Sequence, residues 1–319
     1  DGHGPRLTLL NNWEATGFAF DEKKLSHFMR EAAILGVDMF LLDDGWFGNK
    51  YPRSSDKSGL GDWEPTASSE LYEKHPDWVI HYPNREPYYY RNQMALDLCN
   101  PQVQDFVFGV VDKLLNENPD LAYFKWDCNS MLTNPYSFYL KENQSHLFIE
   151  YVRGLYKVLE RIQEKYPDVP MMLCSGGGGR CDYEALKYFT EFWASDNTDA
   201  VCRVDMQTNY SYGYPMSTVS AHVSACPNHQ TLRMTPLETR FHVAAFGVLG
   251  YECNLCEMDE EELAVIRKQI ALYKRWRDVL QTGTFYRICE GNQIQWICVS
   301  EDRRRAVGFF MQKLTRANA

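Results

Sequence analysis

Leu121-Ala-Tyr-Phe-Lys-Trp-Asp-Cys-Asn129 reads as a short buried strand that follows a helix ending near Asn118-Pro119. Side chains alternate along a strand, so Lys125 and Asp127 fall on one face and Trp126 on the other. A lysine beside a carboxylate on an inward face keeps that carboxylate ionised. An ionised, immobilised carboxylate can serve as a nucleophile. Taken alone, the stretch would fit a buried ion pair without chemistry equally well. The balance tips because acidic or polar strand ends recur along the chain.

Upstream, Leu7-Thr-Leu-Leu-Asn-Asn-Trp13 reads as a strand, followed by a loop to Phe20. Asp21 then caps a helix with Leu25, Phe28, Met29, Ala32 and Leu35 at helical spacing, and Gly36 stops it. A second strand over 37–46 ends in Asp43-Asp44 and a glycine turn. After a polar loop, Glu70 to Trp78 reads as a short helix and Asn100-Pro101 opens a longer one. Downstream, a helix from about Gln144 leads to a strand over Val169 to Cys174 and then Ser175-Gly-Gly-Gly-Gly179-Arg180. Glu191-Phe-Trp-Ala-Ser-Asp-Asn197 is a strand that again ends in an acid, with a Tyr-rich loop expected after it. Strands at Ser220 to Cys226 and Phe246 to Tyr251 flank a helix that starts near Pro236, and a last helix runs from Asp259 to Leu280. From Thr284 the pattern turns to alternating runs with tight turns, as in an antiparallel sheet.

Repeated strand–helix units with polar strand ends predict an α/β fold, a (β/α)8 TIM-type barrel, with a catalytic barrel over 1–281 and a partial C-terminal β-sheet domain over 282–319. A doubly wound open sheet is the structural rival, and it would gather the site at one switch point.

The composition narrows the function. An apolar fraction of 45% supplies a core, and 8 Trp, 20 Tyr and 17 Phe suit stacking on sugar faces. A net charge of −10 without a long basic run argues against nucleic acid as a partner. No apolar run is long enough to span a bilayer, and the start at Asp1-Gly-His-Gly carries no signal peptide and does not look native. Ten cysteines in a chain of this size are not a disulfide framework; reduced thiols in a cytoplasmic protein fit better, and Cys253-Asn-Leu-Cys256 lacks a second ligand pair for zinc. A homo-oligomer stays open.

Asp127 and Asp196 end different strands. Two such carboxylates at a barrel mouth are the equipment of glycoside hydrolysis, one attacking or activating water and one protonating the leaving oxygen. Asp196 has no lysine neighbour in its segment, which makes it the better candidate for a raised pKa and for proton donation. Asp43-Asp44, with His222 and His229, could take a divalent cation, but no DxD or HxH spacing supports one. Gripping sugar hydroxyls is the alternative for adjacent acids. The glycine run lacks the Lys-Ser/Thr of a phosphate loop and instead lets the backbone pass close to a ligand or a neighbouring strand.

The segments Asn12-Trp-Glu-Ala, Leu42-Asp-Asp-Gly-Trp-Phe, Gly59-Leu-Gly-Asp-Trp, His75-Pro-Asp-Trp, Arg91-Asn-Gln, Lys125-Trp-Asp-Cys-Asn, Cys174-Ser-Gly-Gly-Gly-Gly-Arg and Trp193-Ala-Ser-Asp-Asn-Thr-Asp199 occur in order over about residues 7 to 280. Together they resemble the α-galactosidases of glycoside hydrolase family 36. The resemblance implies a retaining double displacement on melibiose- and raffinose-type oligosaccharides, with Asp127 as nucleophile and Asp196 as general acid/base. It also implies that Asp43, Asp44, Arg91, Lys125 and Asn129 hold the galactose hydroxyls. Trp13 matches a sugar-facing aromatic, and Cys174 with Gly177 shapes the pocket beside the sugar. No metal or organic cofactor is implied.

The sequence departs from the family's pattern in two places. The family's N-terminal β-sandwich does not occur in it. Trp63 is followed at once by Glu64-Pro65, where the family places a helix and the third barrel strand, so seven barrel strands are expected rather than eight. An α-N-acetylgalactosaminidase of the same family and a catalytically impaired sugar-binding fragment are the alternative readings.

Overall fold

The computed structural model describes residues 4–46, 52–59 and 68–313, the side chains of 68–70 excepted. The expected anomaly at Trp63–Pro65 lies outside the described residues. In chain order the first elements are β1 (Leu9–Asn11), α1 (Trp13–Thr16), α2 (Glu22–Leu35) and β2 (Met39–Leu41). They are followed by α3 (Ser68–Lys74), α4 (Pro101–Glu117), β3 (Phe124–Asp127), α5 (Leu147–Lys165) and β4 (Met171–Cys174). Next come β5 (Glu191–Trp193), α6 (Ala200–Tyr210), β6 (Val219–Ser224), α7 (Leu237–Ala244), β7 (Val248–Glu252) and α8 (Glu260–Thr282). The last three elements are β8 (Thr284–Glu290), β9 (Gln293–Val299) and β10 (Ala306–Gln312).

The chain divides into two compact units, a middle one over Gly45–Thr190 and a flanking one built from Gly2–Asp44 with Glu191–Ala319. In the flanking unit the parallel strand order is β2-β1-β7-β6-β5. β1 lies between β2, with Leu9 opposite Met39, and β7, with Leu9 opposite Gly250. A first strand hydrogen-bonded to the last parallel strand is how a (β/α) ring closes, whereas a doubly wound sheet places its first strand at an internal switch. The short, mostly buried strands pack under amphipathic helices. The core gathers Leu10, Phe28, Leu249, Tyr251, Ile270 and Tyr273, and it continues to Trp296 of β9. Asp259 caps α8 with a full capping box, its side chain accepting from the Glu262 amide.

The antiparallel sheet expected from Thr284 is present in the order β10-β9-β8. Its alternation is real: on β9, Ile294, Trp296 and Cys298 are buried, and the Trp296 indole donates to Thr208 Oγ1 at 3.0 Å.

In the middle unit β3 pairs in parallel with β4, Lys125 opposite Met172 and Asp127 opposite Cys174. α4 and α5 supply its apolar faces, with Val103, Val111 and Leu115 on one and Leu155, Val158, Leu159 and Ile162 on the other. Gly154 of α5 passes so close to the chain before α4 that a Cβ there would stand 1.8 Å from the Leu98 carbonyl oxygen.

Two expectations are corrected. The segment after Asn197, read as a loop, is helix α6. Its start is fixed by the Asp199 carboxylate, which accepts from the Val201 and Cys202 amides. Its buried face carries Arg203, Gln207 and Thr208, so the apolar periodicity that betrays other helices is absent. The strand around Asp127, expected to be buried, is half-buried, and Asp127 at its end is exposed. Seven parallel strands occur among the described residues, in agreement with the expected number.

Candidate active site

In the middle unit the end of β3 and the glycine loop after β4 are laced together. The Cys128 amide donates to the Cys174 carbonyl at 3.0 Å, and Ser175 Oγ donates to the Cys128 carbonyl at 2.8 Å. The Gly176 amide donates to Asn129 Oδ1 at 2.6 Å, and Arg180 donates to the Ser130 carbonyl at 2.6 Å. Asn129 turns its other end to the carboxylate, Nδ2 donating to Asp127 Oδ2 at 2.9 Å. One amide therefore orients Asp127 and ties it to the glycine loop. The loop can come this near because Gly176 and Gly177 take φ of 54° and 95°, a region that L side chains rarely enter. The Cys174 side chain is buried beneath it.

Lys125 lies two residues before Asp127 on the same strand. Arg91, expected to grip a sugar, forms an ion pair with Asp56 at 2.7 Å from a turn in which Arg91 and Asn92 both have positive φ. The structure thus gives the Arg91 guanidinium a protein partner already, on a residue that is 56% exposed and so open to exchange with a ligand.

In the flanking unit the ends of β1 and β2 interlock through paired asparagines. Asn11 Nδ2 donates to Asp43 Oδ2 at 2.7 Å, and the Asp43 amide donates to Asn12 Oδ1 at 2.8 Å. The Asp44 amide donates to Asp43 Oδ1 at 2.8 Å, and the Trp13 amide to Asn11 Oδ1 at 2.8 Å. Asp43, Asp44 and Trp13 are therefore held as a group at the C-terminal ends of adjacent parallel strands. That is where barrel proteins keep their catalytic residues. The Trp13 ring is half-buried and meets Phe18 edge-on at 5.0 Å.

Asp196 sits in the turn between β5 and α6. The Trp193 indole donates to its Oδ1 at 3.0 Å. Beneath it lies a polar layer that the sequence did not announce. Arg203 is buried, its guanidinium 4.5 Å from the Trp193 ring centre. Burial pulls its pKa down to about 10 against the charges of Glu252, Asp196 and Glu14, so it stays a cation at neutral pH. His222 Nδ1 lies 2.8 Å from Glu252 Oε2, and the His222 ring packs 4.4 Å from Trp193.

Burial raises the carboxyl of Glu14, next to Trp13, to about 7. The charge of Glu252 adds to the effect, while hydrogen bonds from Thr198 and the Ala225 amide and the charge of His229 oppose it. Sequence reading passed over Glu14 and Arg203. Glu14 and Thr198 stood inside quoted motifs, which was the only signal available. The metal pairing of Asp43-Asp44 with the two histidines does not form: His222 turns to Glu252 and His229 to Glu14. Among the described residues no group of three or more His, Cys, Asp or Glu could hold a metal ion. All ten cysteines are free thiols, and burial pushes Cys253 of the CxxC pair up to about 12.

The family model described as Melibiase matches residues 3–67 and 64–283. Alpha-galactosidase AgaA of Geobacillus stearothermophilus is 40% identical over 350 residues, covering 98% of this chain and 48% of the relative. Alpha-galactosidase Mel36A of Lactobacillus acidophilus is 40% identical over 337 residues, covering 95% and 46%. The crystal structure of the GH36 alpha-galactosidase AgaA superposes with a TM-score of 0.92 at 39% identity, over 99% of this chain and 48% of that one.

The fold is thus an α/β barrel of the TIM type, seven of its strands among the described residues, followed in the chain by a three-stranded antiparallel sheet. The chain belongs to the melibiase family. It spans about half the length of the relatives it matches.

Proposed function

We propose that the chain is the catalytic portion of a retaining α-galactosidase that removes terminal α-galactosyl residues from raffinose- and melibiose-type oligosaccharides. The observation that carries this reading is the exposed Asp127 at a strand end, its carboxylate oriented by Asn129, which also ties it to the glycine loop. Family membership supports it, as do the structures of Geobacillus AgaA variants in complex with raffinose and with stachyose. Asp127 attacks the anomeric carbon while Asp196 protonates the departing oxygen; water then enters with Asp196 as base. Asp43, Asp44, Lys125 and Asn129 accept and donate hydrogen bonds to the galactose hydroxyls, Arg91 joins them by exchanging Asp56 for substrate, and Trp13 stacks on the ring. Cys174 and Gly177 bound the pocket beside the sugar. Residues 1–281 form the catalytic domain, and ten free thiols suit a reducing compartment such as the cytoplasm.

A second reading, a chain that binds galactosides but turns them over weakly, is favoured by one observation. The match to AgaA runs over 350 residues although this chain has 319, and the family match breaks and restarts at 64–67. The deficit is about the length of one helix–strand unit. Assaying an aryl α-galactoside beside its N-acetyl analogue separates the readings. Hydrolysis of the first alone supports the α-galactosidase, hydrolysis of the second an α-N-acetylgalactosaminidase, and binding without turnover the impaired chain.

A further inference from the structure

The turn that carries Asp196 belongs to no helix or strand, yet side chains hold three of its consecutive carbonyls. Arg203 Nη2 donates to Ser195 O at 2.6 Å, Gln230 Nε2 to Asp196 O at 2.8 Å, and Arg203 Nε to Asn197 O at 2.8 Å. The next residue, Thr198, is buried, and its hydroxyl accepts from Asn228 Nδ2 at 2.9 Å and donates to Glu14 Oε1. The other oxygen of Glu14 accepts from the Ala225 amide at 2.9 Å, just past the end of β6. One carboxyl, rooted at the end of β1, thereby joins the Asp196 turn to the β6 exit.

We propose that Glu14 is a positioning residue for Asp196, its carboxyl clamping the Thr198 hydroxyl and the Ala225 amide so that the acid/base turn is fixed in place. The proposal rests on the reading of Asp196 as the general acid/base. The Glu14 side chain is only 2% exposed, and burying a carboxyl is unfavourable unless its hydrogen bonds are made. An apolar residue would fill the space at less cost but would release both Thr198 and Ala225. The groups facing Glu14 are Glu252 and Cys253 on or just past β7, Arg203 on α6, and His229 in the loop after β6, whose Nδ1 lies 3.2 Å away. Crowded by Glu252 and stripped of water, the carboxyl is held where it is by these contacts.

The test uses the full-length protein with Glu14→Gln, which keeps the volume but leaves one acceptor in place of two, and Thr198→Val, which cuts the link from the other side. Raffinose needs the proton for its leaving group, and an activated aryl α-galactoside does not. Both variants are expected to lose roughly 10- to 100-fold in kcat/KM on raffinose and less than about 3-fold in kcat/KM on the aryl substrate, because kcat/KM reports the first step, in which only raffinose needs the proton. Hydrogen exchange in the peptide spanning Ser195–Asp199 should quicken while the β4 peptide is unchanged. Equal losses on both substrates, or a raised KM alone, would overturn the proposal, because Glu14 would then act on the fold or on sugar binding through Trp13. Asp196→Ala is the reference. If it is selective for raffinose and Glu14→Gln is not, the positioning role falls and the acid/base reading stands; if Asp196→Ala loses both equally, the acid/base reading falls and takes the proposal with it.

Discussion

Asp127, the proposed nucleophile, has two neighbours that local sequence supplies: the lysine two residues before it and the asparagine two residues after it, whose Nδ2 holds one carboxylate oxygen. Asp127→Ala is expected to lower α-galactoside turnover by on the order of 10³-fold or more. A mechanism-based fluorinated galactoside should label Asp127 in the parent protein, and mass mapping of the label to Asp196 or Asp43 would reverse the roles. Glu14 behaves differently, because its pKa of about 7 lies above its ordinary 4.5. The folded state then holds a proton that the unfolded chain releases, so its contribution to stability is full below the ordinary value and is lost as pH rises toward 7. The loss across that window is about 3 kcal/mol. Glu14→Gln should flatten the fall of the thermal midpoint between about pH 5 and 7; a variant with the parent slope would place the titration elsewhere.

Among the elements, α5 was legible from its apolar spacing, but its close approach to the chain at Leu98 was not. Gly154→Ala forces a methyl group to within 1.8 Å of that carbonyl oxygen, which also accepts from Gln104 Nε2 at 2.8 Å. The helix must shift or the hydrogen bond must break. The expected cost is about 1–3 kcal/mol, despite the better helix propensity of alanine. Urea titration measures it, and a gain in stability would mean that the helix slides freely at this point. Helix α6 escaped sequence reading for the opposite reason. It buries Arg203, Gln207 and Thr208 toward hydrogen-bond partners such as Ser195 O, Val243 O and Trp296 Nε1, so a helix that is deeply packed reads as polar.

For the whole molecule, the pairing of β1 with both β2 and β7 marks a ring, and an eight-stranded ring gives every strand two neighbours. Seven parallel strands occur among the described residues, one fewer than such a ring holds, and in sequence the interval falls between the Asp43-Asp44 strand and the Lys125–Asp127 strand. Errors of about 1 Å in relative position cost on the order of 100-fold in rate. The 319 residues alone are therefore expected to turn over raffinose at less than about 1 per second. A version carrying a helix–strand unit from a family member near Trp63–Pro65 should be faster. Full turnover by the unmodified chain would show that the strand is dispensable.

The sequence by itself determined what local pattern can carry: seven strands, most of the helices, the strand-end acids, the glycine loop and the family they resemble. Strand ends, caps and glycine turns are set by residues a few positions apart. What only the tertiary structure decided depends on segments far apart in the chain. The Glu14 carboxyl meets Thr198 and Ala225 across 184 and 211 residues, and it is burial by those segments that shifts its pKa. The same holds for Arg203 beneath Asp196 and for the junction of the first strand with the last. Burial, charge and ring closure are properties of neighbours in space, which no window of sequence contains.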